Sequence, residues 1–252
     1  MYINDVKIVY YIIIAIAGMF IGEFVNWANK RLPEYKKVFS LDLFKEYKRE
    51  FNPSYILMIV NAVLYVMILY RFGIHSTLIE NLDLIKFLIL TPMLLSVVVI
   101  DYKLQIIPNR LNLTMFEIGI IFTFIYGFSN VAISINMLLG MFTGAGIFLL
   151  ITLLGGLVYG KEAMGLGDVK LMGALGLYFG FSNIIIIALL SFLIGAILSI
   201  ILLATKIKKT DEYIPFGPFI VIGTFIAIFV PYDQIVFALW NVFTLGLYSR
   251  NH

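Results

Sequence analysis

Long apolar stretches separated by short polar connections dominate the chain. With a window of about 19 residues, the pattern predicts about eight membrane spans, near 7–26, 55–71, 84–100, 110–127, 134–158, 169–181, 184–204 and 217–231. A further apolar stretch, 233–248, contains Asp233, Gln234 and Asn241, so it is typical equally of a last span, a re-entrant segment or an interfacial helix. The sequence therefore predicts an all-α, polytopic integral membrane bundle of about eight transmembrane helices.

The composition supports this fold class and narrows the chemistry. Hydrophobic residues make up 62% of the 252 residues and charged residues only 13%, whereas soluble domains are about 25% charged. The chain has no cysteine and only two histidines. A thiol nucleophile and a metal centre built from thiolate or imidazole ligands are therefore excluded, and we expect no metal site. Any catalysis would therefore use carboxylate, hydroxyl or amine groups.

The basic residues predict the orientation of the spans. If all the spans are real, fourteen of the 18 Lys and Arg residues lie on one side of the membrane. They are Lys30, Arg31, Lys36, Lys37, Lys45, Lys48 and Arg49, then Lys103 and Arg110, then Lys161 and Lys170, then Lys206, Lys208 and Lys209. By the positive-inside rule that side is the cytoplasm. Because these residues adjoin apolar runs and form no single patch, we expect no nucleic acid partner.

A cleaved signal peptide is the alternative interpretation of the first apolar segment, since Ala15-Ile16-Ala17 offers small residues at a cleavage position. Its N-terminal region carries only Asp5 and Lys7 before the apolar run, which favours a retained span. The loop that follows, about 27–54, is the longest hydrophilic segment. Ser40 can cap a helix there in which Leu43, Tyr47 and Phe51 recur every four residues, which predicts a short amphipathic helix on the cytoplasmic interface.

Four carboxylates fall inside or at the ends of the predicted spans: Glu23, Asp101, Glu117 and Asp168. An ionisable group in that setting is costly and marks a functional hypothesis. Asp101 ends one span and Asp168 begins another, and the topology places both at cytoplasmic helix ends. We therefore expect these two side chains to face one another.

Two carboxylates that share a proton are sufficient for aspartyl proteolysis, because one activates water while the other donates to the scissile carbonyl. Gly165 and Gly167, beside Asp168, would let a substrate backbone approach closely. Lys170 either steadies the carboxylate, binds the substrate or only marks the cytoplasmic rim. Taken alone, Asp168 is equally typical of a helix N-cap after a glycine turn; the pair of aspartates favours the catalytic interpretation.

These motifs resemble the type IV prepilin peptidases, a family of membrane aspartyl proteases. The likeness rests on Gly165-Leu166-Gly167-Asp168, on Asp101 with Ile107-Pro108-Asn109, on Gly22-Glu23-Phe24-Val25-Asn26 with Arg31-Leu32-Pro33, and on Pro215-Phe216-Gly217-Pro218. A Gly-x-Gly-Asp motif alone is weak evidence. Four signatures in the family's order, from one end of the chain to the other, are specific.

The resemblance implies cleavage of the basic leader of type IV prepilin or pseudopilin precursors, after a Gly, at the cytoplasmic face of the cytoplasmic membrane. Asp101 and Asp168 would be the catalytic pair, and proteolysis would need no cofactor. The family also implies N-methylation with S-adenosylmethionine by a region that here includes Glu23, Asn26 and Arg31. Residues 1–54 would be the first span with a reduced methyltransferase-like loop, and residues 55–252 the peptidase domain.

The chain departs from the family at two points. Bacterial members usually carry two Cys-x-x-Cys pairs in the first loop, and this chain has no cysteine, so a loop zinc site is excluded. Glu23 stands where the family commonly has Ser. We expect Glu23 either to pair with the basic leader or to snorkel passively to the interface.

Two other function classes stay open on the sequence alone. One is another intramembrane protease with a Gly-x-Gly-Asp motif, of the presenilin or signal-peptide-peptidase type. The other is a transporter or channel in which Asp101, Glu117 and Asp168 form a cation or proton path. On the protease interpretation Glu117 would instead pair with a polar neighbour inside the bundle.

Overall fold

A computed structural model describes residues 2–4, 6–34, 36, 38, 47–48, 52–159, 164–205 and 214–244. Strands β1 (Tyr2–Ile3) and β2 (Val6–Lys7) form a short antiparallel hairpin. Within the described ranges, the bounded helices are α1 (Ile8–Arg31), α2 (Tyr55–Phe72), α3 (Leu82–Leu104), α4 (Asn109–Ser129), α5 (Val131–Tyr159), α6 (Leu166–Ala204), α7 (Gly217–Phe229) and α8 (Tyr232–Phe243). Apart from Tyr47 and Lys48, which are helical, the predicted amphipathic helix falls outside these ranges.

The helices have the lengths and the apolar surfaces of membrane spans. Six of them, α1 to α6, are each long and apolar enough to cross a bilayer, and α7 with α8 forms a further candidate that is bent by 120°. Large apolar side chains such as Phe20, Phe128 and Leu157 are exposed on the outside of the bundle, as expected for surfaces that meet lipid. The chain is an all-α, multi-pass membrane protein, which confirms the predicted fold class.

Helix α6 reverses direction at Gly180. The φ angle of Gly180 is 74°, a left-handed value that favours glycine. A Cβ built on Gly144 of α5 would meet both Met172 and Ile184, although twelve residues of straight helix span about 18 Å. The two arms of α6 therefore lie side by side against α5, and the two separate spans predicted for this stretch are the arms of one helical hairpin.

The C-terminal stretch that the sequence left ambiguous is not an independent span over its described part. Helix α8 has 12 residues, which reach about 18 Å, and a hydrocarbon core is about 30 Å thick. It follows α7 after a sharp bend, and most of its side chains are exposed. The short, bent pair agrees with the re-entrant and interfacial alternatives.

The core lies between α3, α4, α5 and α6. Leu94, Met115 and Leu175 are among its fully buried side chains. The Tyr178 hydroxyl donates to the Met115 carbonyl at 2.8 Å, so a polar group inside the core is satisfied across two helices. This packing fixes the ends of α3 and α6, which carry the two aspartates.

A buried polar cluster lies at the end of the bundle away from the two aspartates. The Lys86 ammonium, almost fully buried, is 2.6 Å from the half-exposed Asp83 carboxylate. Tyr126 donates to the same carboxylate at 2.7 Å, and the Lys86 nitrogen lies 5.0 Å from the centre of the Tyr126 ring. The hydropathy pattern does not reveal this cluster, because Asp83 lies just outside the predicted span at 84–100 and Lys86 lies near its start.

Candidate active site

The two predicted aspartates lie near each other at one end of the bundle, where α3 ends and α6 begins. Asp101 belongs to the last turns of α3, and Asp168 is the third residue of α6. Their exposed fractions are only 3% and 4%. The two carboxyl groups interact electrostatically, so the pairing expected from topology is present in the structure.

The Gly-Leu-Gly-Asp corner shapes the start of α6. Gly165 is extended and caps the helix, and its carbonyl accepts the Asp168 main-chain N–H at 3.0 Å. Among the described residues, which exclude 160–163, the nearest atom to a Cβ built on Gly165 is Asp168 Oδ2 at 3.6 Å. Gly167 differs, because its Cβ would lie 3.3 Å from Ile107 Cβ. Gly165 therefore has the clearance expected for substrate approach, whereas the small size of Gly167 serves packing against the α3–α4 connection.

Asn112 of α4 holds the same corner and was not identified from the sequence. Its side-chain amide donates to the Gly167 carbonyl at 3.0 Å, and the residue is 4% exposed. A buried amide that binds a main-chain carbonyl on another helix fixes the relative position of the two segments. Asn112 lies three positions after Asn109 of the quoted motif, which was the available signal.

Gly217, the first residue of α7, contacts Asp101 directly. Its main-chain N–H donates to Asp101 Oδ2 at 2.8 Å, and the bond is buried. The Pro215-Phe216-Gly217-Pro218 motif was noted in the sequence but given no role. The structure brings this motif to the dyad from a separate part of the chain.

The two carboxylates differ in how they are satisfied. Asp101 accepts the Gly217 N–H and Asp168 accepts a main-chain N–H from Gly165, but Asp168 Oδ1 is buried and has no hydrogen-bond partner within the part of the chain that the structure describes. An unpaired buried carboxylate oxygen costs free energy unless a ligand or water meets it. The pair can therefore hold a water molecule and exchange a proton with it, which is the equipment of aspartyl hydrolysis.

Lys170 does not contact the carboxylates by hydrogen bond. Its exposed ammonium donates to Asn109 Oδ1 at 2.8 Å, which links the rim of α6 to the start of α4. This contact agrees best with the interpretation that Lys170 lies at the rim of the bundle.

Glu23, Asn26 and Arg31 form a separate cluster where α1 meets the start of α2. The Glu23 carboxylate is buried and accepts the Ser54 main-chain N–H at 3.0 Å and the Asn26 amide at 3.3 Å. The expectation that Glu23 snorkels to the interface is wrong, because main-chain and side-chain donors hold it inside. Arg31 lies over the ring of Trp27, at 4.5 Å from its centroid.

In the described part of the chain, Glu23 and Asn26 make their contacts at the junction of α1 and α2. The Glu23 carboxylate is engaged by its donors, and burial, with a contribution from Glu23, raises the pKa of the neighbouring Tyr47 hydroxyl. Glu23 and Asn26 therefore stabilise the junction between the two helices.

Glu117 lies on an exposed face of α4. The expectation that it pairs with a polar neighbour inside the bundle is wrong. A helix that is apolar on nearly every side gives no pattern from which its inward face can be predicted. A proton path through Asp101, Glu117 and Asp168 is also not supported, because Glu117 points away from the other two.

Comparisons with known proteins agree with the site. A family model described as the type IV leader peptidase family matches residues 88–200. A prepilin leader peptidase/N-methyltransferase of Aeromonas hydrophila is 31% identical over 156 residues, which cover 62% of this chain and 53% of that protein. The protein of the same name from Legionella pneumophila is 37% identical over 139 residues, or 54% and 46% of the two chains.

A third relative of this name, from Pseudomonas aeruginosa, is 36% identical over 141 residues, which cover 56% of this chain and 48% of that protein. The chain thus spans about half the length of the curated relatives it matches. No solved structure matches it significantly. The part of the chain that is similar to the type IV leader peptidase family, residues 88–200, includes both Asp101 and Asp168.

Proposed function

We propose that this protein is an aspartic endopeptidase of the cytoplasmic membrane that removes the leader of type IV prepilin or pseudopilin precursors. The observation that carries the proposal is the buried pair of Asp101 and Asp168 inside the region that matches the family, with one carboxylate oxygen that has no partner among the described residues. The basic residues that flank this end of the bundle support a cytoplasmic position for the site.

The chemistry needs only the two carboxyl groups and water. One ionised carboxylate takes a proton from water as its oxygen attacks the scissile carbonyl carbon, and the protonated partner donates to the carbonyl oxygen. The tetrahedral intermediate then collapses, the C–N bond breaks, and the leaving amine takes up a proton from the dyad. The products are a leader that ends in a carboxylate and a mature chain with a new amino terminus, with one water consumed.

The site is occluded in this state, since both carboxyl groups are almost inaccessible. Among the described residues, the side of Gly165 beside Asp168 has the clearance for a precursor to approach. An extended backbone with its apolar helix in the bilayer fits such an approach, because the scissile bond would lie at the membrane surface.

The test is mass spectrometry of a prepilin-type precursor incubated with the protein in membranes. We expect loss of the leader after its Gly, and a decrease of at least about 10²-fold in Asp101→Asn and in Asp168→Asn. Asp233→Asn, which removes an exposed carboxylate from α8, is the matched control and should cleave normally. Cleavage that persists in either dyad variant would overturn the assignment.

The same reaction with S-adenosylmethionine tests the second activity in the relatives' name. An added methyl mass on the mature chain would assign N-methylation to this protein as well. A cleaved but unmethylated product would limit it to proteolysis.

A further inference from the structure

The amide of Gly217 approaches Asp101 more closely than any residue with a side chain would allow. Its nitrogen lies 2.8 Å from Asp101 Oδ2. A Cβ built on Gly217 would lie 2.6 Å from the same oxygen, 3.1 Å from Asp101 Cγ and 3.2 Å from Val97 Cγ1. Such contacts are too short, so a larger residue would displace either the carboxylate or the first turn of α7.

An aromatic cluster holds the start of α7 in place. Phe216 packs against Phe192 at 5.1 Å and Phe148 at 5.9 Å between ring centroids, and Phe219 stacks edge-on to it at 5.8 Å. Phe148 has no exposed surface. The Gly217 N–H is therefore presented by a rigid, buried segment and not by a loose connection.

The chemistry of the first helical turn suits a carboxylate. The first main-chain N–H groups of a helix have no partner inside the helix, and the positive end of the helix dipole lies there. A hydrogen bond from such a group to a carboxylate is charge-assisted and directional. It holds one Asp101 oxygen and leaves the other free to face Asp168 and a water molecule.

We propose that Gly217 is a positioning residue of the peptidase, whose main-chain amide orients Asp101 for attack by the dyad. The inference rests on the proposed function, but it concerns a residue outside the family match at 88–200. The bond is one of two main-chain contacts at the dyad, since Gly165 binds Asp168 as Gly217 binds Asp101.

Two variants at Gly217 and one control test this role. Gly217→Ala adds the methyl group that collides with Asp101. Replacement of Gly217 by glycolic acid turns its amide into an ester, which removes the N–H and adds no atom. Gly223→Ala, in the same helix, places a Cβ 3.0 Å from Ser191 Oγ and 3.1 Å from the Ile187 carbonyl, so it stresses the packing of α7 away from the dyad.

We expect kcat for precursor cleavage to fall about 10²-fold in both Gly217 variants, because a small misplacement of a reacting group has effects of that size. KM should stay within about twofold, as for the loss of an interaction that acts on the chemical step. Gly223→Ala should retain kcat within about threefold even if its thermal stability falls.

An infrared measurement separates the contact from the catalysis. The difference spectrum between each protein and its Asp101→Asn counterpart isolates the Asp101 carboxyl band. That band should shift in both Gly217 variants and stay in place in Gly223→Ala.

Normal kcat in the glycolate variant, or an unshifted band, would overturn the role of Gly217 while leaving the peptidase intact. An equal loss of kcat in Gly223→Ala would reduce Gly217 to a packing residue. A parent protein that cleaves no precursor would overturn the proposed function, and the catalytic part of this inference with it.

Discussion

Replacement of Asn112 by alanine tests whether the Gly-Leu-Gly-Asp corner is held from α4. The change removes the 3.0 Å hydrogen bond to the Gly167 carbonyl. Because that carbonyl belongs to α6 and keeps its bond inside the helix, the loss is that of one hydrogen bond, about 0.5–1.5 kcal/mol. Asn112 Oδ1 itself has no partner among the described residues, so the change also removes an unsatisfied acceptor. The net loss of stability should therefore be about 1 kcal/mol or less.

Activity should fall further than stability. If the corner shifts by about 1 Å, the rate of cleavage drops about 10²-fold, equivalent to about 2.7 kcal/mol. The chain offers a closely matched control in Asn61 of α2. Asn61 is also buried, donates to a glycine carbonyl on another helix at 2.8 Å (that of Gly18), and has an unpaired Oδ1.

The assay compares kcat/KM for precursor cleavage with the thermal unfolding of each purified variant. We expect Asn61→Ala and Asn112→Ala to lose similar stability, and Asn112→Ala alone to lose about 10²-fold in kcat/KM. Equal kcat/KM values in the two variants would refute the idea that Asn112 positions the corner.

Three further predictions concern other parts of the molecule. Gly180→Ala should prevent folding, because φ is 74° at this position and a Cβ would collide with the Asn136 side chain. Size-exclusion chromatography should then recover no monodisperse protein, and normal recovery would argue against the hairpin. Asp83→Ala should lower the free energy of unfolding by about 3 kcal/mol, because it leaves the Lys86 charge buried. Lys86→Met should leave that free energy nearly unchanged, since Asp83 can reach water. Equal losses of stability in the two variants would contradict this. Glu23→Ala should destabilise the α1–α2 junction by about 1–3 kcal/mol, which limited proteolysis would detect. The precursor assay should show unchanged cleavage, and a loss of cleavage would place Glu23 in the substrate path.

The features that the sequence predicts best are those that depend on local composition. Hydropathy located the spans, and the two arms around Gly180 were recognised as separate segments. The alternation of basic connections then indicated which helix ends share a side of the membrane, which was sufficient to bring Asp101 and Asp168 together. No knowledge of helix packing was needed for that step.

Features that depend on helix rotation were not predictable. The spans are apolar on all sides, so the pattern of apolar residues does not indicate that Asn112 faces inward and Glu117 outward. The Gly217 bond joins segments 116 positions apart, and its donor is a main-chain group that every non-proline residue possesses. Only the close approach, which excludes a Cβ, makes glycine necessary there.

The hydrogen bond between Gly217 and Asp101 also has a consequence for biosynthesis. A ribosome delivers α3 and α6, with both carboxylates, before it delivers α7. Until Gly217 emerges and α7 inserts, the nascent chain lacks the donor that holds Asp101 in place. The last element of the site to be synthesised thus completes it, and a chain interrupted before residue 217 would carry both acids in the membrane without the group that aligns them.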